Sequence, residues 1–240
     1  RSDYSVSIFQ QQAKSLIDQL NDNHVVPILS GGTGLYVQSL LENYNFNDIK
    51  PNTKLRIELD ELYTKYGIDG LREYAQNLAE KGGIEIKYTD KHRLYRAIEL
   101  MTAGDYKSLI KQTKEGLSYK GPVIGLQRER SDLYDRINRR VEIMFEKGLV
   151  DEVKQLLKNG VNPNCQAFKG IGYKEVVQYL EGLISYDACV DLIQKNTRHF
   201  AKRQITWYKR MPYIEWITID SQTTEAEIYG MACNIIDSRF

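Results

Sequence analysis

Apolar residues recur at helical spacing through Val6, Phe9, Ala13, Leu16, Ile17 and Leu20, and the polar stretch from Asn21 to His24 ends the pattern. Val25-Val-Pro-Ile-Leu29 follows as a short continuous apolar run, the mark of a buried parallel strand. Gly31-Gly-Thr-Gly34 comes next, and Leu35 to Leu41 reads as a helix. Helix, strand, glycine turn and helix make a fragment of a doubly wound α/β sheet, in which ligands bind at the carboxyl ends of strands. The pattern then changes. Leu55 to Tyr66, Leu71 to Lys81, Lys91 to Thr102 and Tyr106 to Lys114 all read as helices with no strand among them. Pro122 to Leu126 reads as a second buried strand, and helices resume at Asp132 to Lys147, Val150 to Lys158, Tyr173 to Leu183 and Ser185 to Met211. Ile214 to Ile219 gives a third strand and Glu225 to Arg239 a closing helix. The expected organisation is an α/β core over 1–50, a helical insertion over 51–119, and a return to the core with C-terminal helices over 120–240.

Composition narrows the class. With 42% hydrophobic and 27% charged residues, the 240-residue chain has ordinary globular composition and enough length for a real core. A net charge of +1 carries no global polyanion signal, so any nucleic-acid binding must come from clustering. The three cysteines, Cys165, Cys189 and Cys233, are far apart and odd in number. They exclude a disulfide framework and a CxxC metal site, and they fit a reducing, cytoplasmic setting. No apolar run approaches the roughly 20 residues that span a bilayer, so no membrane association is expected. Arg1 is not an initiator methionine and the chain opens almost directly into an amphipathic helix, as expected of a piece of a longer protein.

Five stretches carry candidate chemistry. Arg198 to Arg210 holds five basic residues, no acidic ones and three aromatics. As a helix it sets Arg198, Lys202 and Lys209 near one side, with Phe200, Ile205 and Trp207 as apolar anchors. It reads as a solvated basic face or as a surface for a phosphate backbone with rings to stack on bases. In Ser30 to Tyr36, the glycines Gly31, Gly32 and Gly34 let backbone amides approach an anion, and Thr33 presents a hydroxyl; the alternative is a plain tight turn. Arg93 and Arg96 share a helix face, free to grip phosphates or to pair with Asp90 and Glu99. Arg128, Arg130, Arg136, Arg139 and Arg140 form another cluster, in which Arg136 and Arg140 point the same way and Glu142 and Glu146 are positioned to neutralise them. Gly170 and Gly172 open a helix flanked by Lys169 and Lys174. The histidines, His24, His92 and His199, show no ligand spacing, and no Walker A motif occurs.

Together, in order, these stretches resemble the tRNA dimethylallyltransferases (isopentenyltransferases). Val26-Pro-Ile-Leu-Ser-Gly-Gly-Thr-Gly-Leu-Tyr36 is similar to the family's strand–loop segment. Asp90, Arg93 and Arg96-Ala-Ile-Glu99 match its D-x-x-R-x-x-R-A-x-E helix, and Arg136-Ile with Arg140, Met144 and Gly148 matches its R-I-x-x-R-x-x-x-M-x-x-x-G segment. Gln166 to Glu175 resembles its A-I-G-Y-K-E turn, and Lys202-Arg-Gln-Ile-Thr-Trp207 its K-R-Q-x-T-W signature.

The resemblance implies a P-loop-NTPase-like α/β fold and transfer of a dimethylallyl group from dimethylallyl diphosphate to N6 of the adenosine beside the tRNA anticodon. It implies Mg2+ as cofactor, the tRNA anticodon stem-loop as partner and a monomeric enzyme. Carried over, Thr33 lies in the reaction channel and Arg140 contacts the leaving pyrophosphate, with Arg136 and the glycines of the loop binding anion. Arg56, His92, Arg93 and Arg96 meet the tRNA from the insertion. Lys169, Tyr173, Lys174, Lys202, Arg203, Gln204, Trp207 and Lys209 line the tRNA surface. The family's opening P-loop, G-x-T-x-x-G-K-T, and its D-S-M-Q-V-Y segment do not occur here, so these 240 residues alone are expected to be inactive. Other readings are an adenylate isopentenyltransferase acting on free nucleotide, a non-catalytic RNA-binding module, and a P-loop nucleotide kinase, which the absent Walker lysine disfavours.

Overall fold

The computed structural model describes residues 4–44, 46, 49–110 and 117–239. Along the chain run α1 (Val6–Asp22), α2 (Gly34–Leu41), α3 (Thr53–Lys81) and α4 (Lys91–Thr102). Then come β1 (Val123–Arg128), α5 (Arg130–Glu146), α6 (Leu149–Lys158), α7 (Tyr173–Leu180), α8 (Tyr186–Tyr208), β2 (Ile214–Ile219) and α9 (Glu225–Asp237). The helices start where side chains can satisfy orphan amides. Ser5, Asn52, Asp90, Ser185 and Thr224 each accept from the backbone N–H three residues on. The helix expected over Tyr106–Lys114 is a 3-10 turn at Lys107–Leu109, and residues 111–114 lie outside the described ones.

The backbone groups into two compact units, one of Glu42–Ser118 and one of Arg1–Leu41 with Tyr119–Phe240. In the first, α3 packs on α4 through Leu55, Leu59, Leu71 and Ala75 against Leu94 and Ile98. Each leucine or isoleucine among them contributes about 1.5–3 kcal/mol by leaving water. Within α3 the two helices expected across 55–81 meet at a kink at Gly67, whose φ of 66° and ψ of −157° are open to glycine and closed to other residues.

In the second unit β1 and β2 pair in parallel, from Val123 opposite Ile214 to Arg128 opposite Ile219. A Cβ on Gly125 would stand 2.7 Å from the Trp216 ring, so the glycine lets that indole cross the sheet. Helices α5 to α8 close on Val141, Phe145, Val153, Phe168, Val176 and Ile193, and α9 lies against β2. On α1 and α2, Phe9 stacks on Tyr36 at 4.7 Å, and Gln10 donates to the Ser39 carbonyl at 2.7 Å. No helix among the described residues is long and apolar enough to cross a membrane.

Two expectations fail here. Val25 to Leu29 joins no sheet, so the described ladder has two strands where three were expected. Val26 is 83% and Ile28 89% exposed. An apolar run records a demand for burial, but a strand exists only where a neighbour supplies ladder hydrogen bonds. The Val25 amide instead turns back to the Leu20 carbonyl of α1, at 2.8 Å. Phe200, expected to anchor the basic run, is exposed. The inner line of α8 runs through Ile193, Thr197, Ala201, Gln204 and Tyr208, and Phe200 falls beside it.

Candidate functional site

The glycine loop and the basic helix meet. Gln204 of α8 donates its side-chain amide to the Gly32 carbonyl at 2.7 Å. A Cβ on Gly32 would come within 2.3 Å of that amide nitrogen, and one on Gly34 within 2.4 Å of the Trp207 ring. Two of the three loop glycines are therefore required by the approach of α8, whereas Gly31 faces open space. Gln204, expected on the RNA-facing surface, lies on the inner line of α8, and Trp207, expected both as an apolar anchor and as an RNA contact, is half-buried against the Gly34 backbone. The Trp207 Nε1 is buried without an acceptor among the described residues. Thr33 itself is exposed; its carbonyl accepts from the amides of Tyr36 and Val37, and its hydroxyl carries no hydrogen bond among the described residues.

The outer face of α8 differs in character. Lys202, Arg203 and Lys209 are exposed, and no hydrogen bond or ion pair engages their side chains among the described residues. Arg198 is engaged: it donates to Asn138 of α5, and Gln194 donates to the Asn138 carbonyl and to Glu142. Glu142 was expected to neutralise the α5 arginines, yet its carboxylate faces α8. Arg136, Arg139 and Arg140 are accordingly exposed and unpaired among the described residues. Arg128 ties the end of β1 to Asp132 and to the Asp220 carbonyl, and Arg130 lies over the Tyr134 ring.

At the start of α7, Glu175 is 1% exposed and serves as a hub. It accepts from the Gly172 amide at 2.7 Å and from Asn196 of α8 at 2.7 Å, with Lys174 at 3.3 Å. Gly172 takes a φ of 105°, the left-handed region that suits glycine. Tyr173, expected to meet RNA, donates its hydroxyl to Glu152, and that bond, followed by burial, raises its pKa. Lys169 stays exposed and unpaired among the described residues.

In the Glu42–Ser118 unit the arginines divide in the same way. Glu99, its side chain 1% exposed, accepts from Arg56 at 2.7 and 3.2 Å, from Arg96 at 3.3 Å and from the Asn52 amide at 3.0 Å. Arg96 also donates to the Ile49 carbonyl at 2.8 Å. Arg56 and Arg96, expected to contact tRNA, are thus committed to a buried carboxylate that could not remain ionised without them. Asp90 is the cap of α4, while His92 and Arg93 are exposed beside it. Sequence spacing offered Glu99 as a surface partner of Arg96 but missed its burial and its hold on Arg56, and it missed Glu175 as a hub. A Gly-x-x-Glu pattern at a helix start was the one available signal for Glu175.

No group of three or more His, Cys, Asp or Glu among the described residues could hold a metal ion. No hydroxyl or thiol is hydrogen-bonded to a histidine among the described residues either. These groups can bind a polyanion and hold a loop; none is arranged as a nucleophile with its base.

The model of the family described as IPP transferase matches residues 1–211. The chain belongs to the IPP transferase family. Among curated relatives it is 39% identical over 221 residues to a tRNA dimethylallyltransferase of Clostridioides difficile, covering 90% of this chain and 70% of that protein. It is 36% identical over 237 residues to one from Alkaliphilus metalliredigens, covering 97% and 75%. The crystal structure of a full-length tRNA isopentenylpyrophosphate transferase from Bacillus halodurans superposes with a TM-score of 0.65 at 33% identity, over 99% of this chain and 76% of that one. A Staphylococcus epidermidis structure of the same description gives 0.67 at 31%, over 100% and 78%. In IPP transferase terms, this chain is a helix-rich α/β protein with a small parallel sheet.

Proposed function

We propose that this chain acts in tRNA modification, transferring a dimethylallyl group from dimethylallyl diphosphate to N6 of the adenosine beside the anticodon. The observation that carries the reading is the pair of unspent cation rows in one compact unit of an IPP transferase: Arg136, Arg139 and Arg140 on α5, and Lys202, Arg203 and Lys209 on α8. Cations that the fold does not use for itself are available to phosphate. In the reaction N6 attacks the allylic carbon, the carbon–oxygen bond to diphosphate breaks, and N6 gives up a proton. Adenine N6 is a weak nucleophile, so position and stabilisation of the departing diphosphate supply most of the rate. Arg140 and Arg136 are read as meeting that diphosphate, Thr33 as lying near the acceptor base, and Lys169, Lys174, His92 and Arg93 as further RNA contacts. The base leaves the stack of the anticodon loop at small cost, because that loop is single-stranded. The parallel β1–β2 pair flanked by helices supports a P-loop type of core, and the chain is read as a cytoplasmic monomer. Mg2+ is read as travelling with the diphosphate.

The 240 residues contain no G-x-x-x-x-G-K-S/T segment. The test therefore compares this chain alone with the chain joined to a family P-loop segment. Each is given unmodified anticodon stem-loop, dimethylallyl diphosphate and Mg2+, and the adenosine mass is read after digestion. Prenylated adenosine is expected with the joined protein only. Prenylation of AMP in preference to the stem-loop would convert the reading to the free-nucleotide enzyme. Salt-sensitive stem-loop binding with no prenylation by either protein would reduce it to an RNA-binding module.

A further inference from the structure

The loop Ser30–Gly34 has no sheet to hold it. Its one side-chain hydrogen bond from elsewhere in the described chain is the Gln204 amide on the Gly32 carbonyl, 172 residues apart in sequence. Beside it, the Trp207 ring fills the space a side chain at position 34 would need. Gly31, between the strand-like run and this seat, touches nothing within 4 Å. The loop is thus free at one end and seated at the other, and both seat residues come from the helix whose outer side carries Lys202 and Lys209, with Arg203 one turn from Trp207 on its flank.

We propose that Gln204 is a positioning residue which, with Trp207 as a platform, fixes where the Thr33 hydroxyl stands relative to RNA bound on the outer face of α8. One rigid helix then performs both tasks. Cations on its outside hold the phosphate backbone, and the amide on its inside sets the loop that faces the acceptor base. Rigid elements hold geometry better than loops do, and a shift of a reacting group by about 1 Å can cost on the order of a hundredfold in rate. The inference rests on the reading of Thr33 given above.

Its test begins in the chain itself. Gln204→Met keeps the length of the side chain and removes the donor. Hydrogen exchange at the amides of Tyr36 and Val37, which donate to the Thr33 carbonyl, should rise at least tenfold, with exchange in α5 to α7 unchanged. Gly32→Ala should produce the same rise, because its methyl displaces the Gln204 amide, and should add nothing in a Gln204→Ala background, where that space is vacant. Unchanged exchange in Gln204→Met, or independent effects in the double variant, would overturn the seat. The second arm uses Trp216→Phe, which leaves Trp207 as the single indole. Unmodified stem-loop RNA should alter Trp207 emission, and Gln204→Met should abolish that response while stem-loop affinity stays within twofold. A parallel loss of affinity would make Gln204 an ordinary RNA contact and overturn the positioning role. No emission response in the Trp216→Phe protein, with the exchange results intact, would instead overturn the placement of Thr33 near the RNA.

Discussion

Arg56 grips Glu99 at two points, through Nε at 2.7 Å and Nη2 at 3.2 Å, across 43 residues of sequence. The arginine side chain is 43% exposed and the carboxylate 1%, so the two partners lose different things when parted. Without Arg56, Glu99 is left buried with Arg96 at 3.3 Å and one amide. Arg56→Ala should therefore destabilise the Glu42–Ser118 unit by about 2–3 kcal/mol. Arg56→Lys should restore little, because an ammonium cannot reproduce the two-point contact. Glu99→Gln added to Arg56→Ala should recover part of the loss, since a neutral amide costs less to bury. The unit contains no tryptophan, so circular dichroism reads its unfolding, while Trp207 and Trp216 report on the other unit. Strict additivity of the two substitutions would show that they do not act through one another.

The same cluster sets an acid limit. Burial pushes the Glu99 carboxyl up, but the Arg56 hydrogen bond, the Asn52 amide and Arg96 together outweigh it and hold the group below its ordinary value of 4.5. Asp60 is lowered too, by hydrogen bonds from Lys91 and Tyr95. A carboxyl depressed in the folded state stabilises above its unfolded value, and that stabilisation is lost as pH falls through the folded one. Urea midpoints of this unit should be flat from about pH 7 to pH 5 and drop below about pH 4.5. In Glu99→Gln the drop should be shallower. An identical acid limb in the variant would remove Glu99 from the cause.

Much of this was legible in the sequence, and the remainder fails for identifiable reasons. The bounds of α4 follow from Asp90 as a cap and from apolar positions at helical spacing, both local properties. Ile214–Ile219 reads correctly because a buried β-branched run needs one neighbour, and β1 supplies it. Val25 to Leu29 has the same look and no neighbour in the described sheet. The side residues also divide by reach. The exposure of Lys202 and the inward direction of Gln204 both follow from helix period, whereas which loop meets Gln204 and Trp207 does not, and spacing carries no record of that. Arg56 and Arg93 are the same residue type in motifs of one family. Only the burial of Glu99, 43 residues from Arg56, separates the structural arginine from the free one.

Cys189 should be chemically silent in the folded chain. It is fully buried, and burial first and then the Glu175 charge push its pKa to about 11. At pH 8 its thiolate fraction is then about one in a thousand, and reagent has no path to it. Cys165 and Cys233 are partly accessible. Titration with a thiol-specific disulfide reagent should release two equivalents promptly and the third only on denaturation. Three prompt equivalents would mean that the α7–α8 packing opens on the timescale of the assay.

The unspent cations of α8 make the last prediction, and the committed ones supply its control. Lys202 and Arg203 are exposed and bond to nothing in the described chain, so Lys202→Ala/Arg203→Ala should leave thermal stability within about 0.5 kcal/mol of the parent. If both meet phosphates of a stem-loop, affinity falls because fewer counterions are released on binding. The slope of log affinity against log salt should then lessen by about 0.7–0.9 for each lost contact. Arg198→Ala makes the contrast. Its guanidinium serves Asn138 between α5 and α8, so its removal should lower stability with little change in the salt slope. Should Arg198→Ala lessen the slope as much as the double variant, the division into structural and free cations would be wrong. Should neither lessen it, α8 would carry a solvated face and the RNA would have to bind elsewhere.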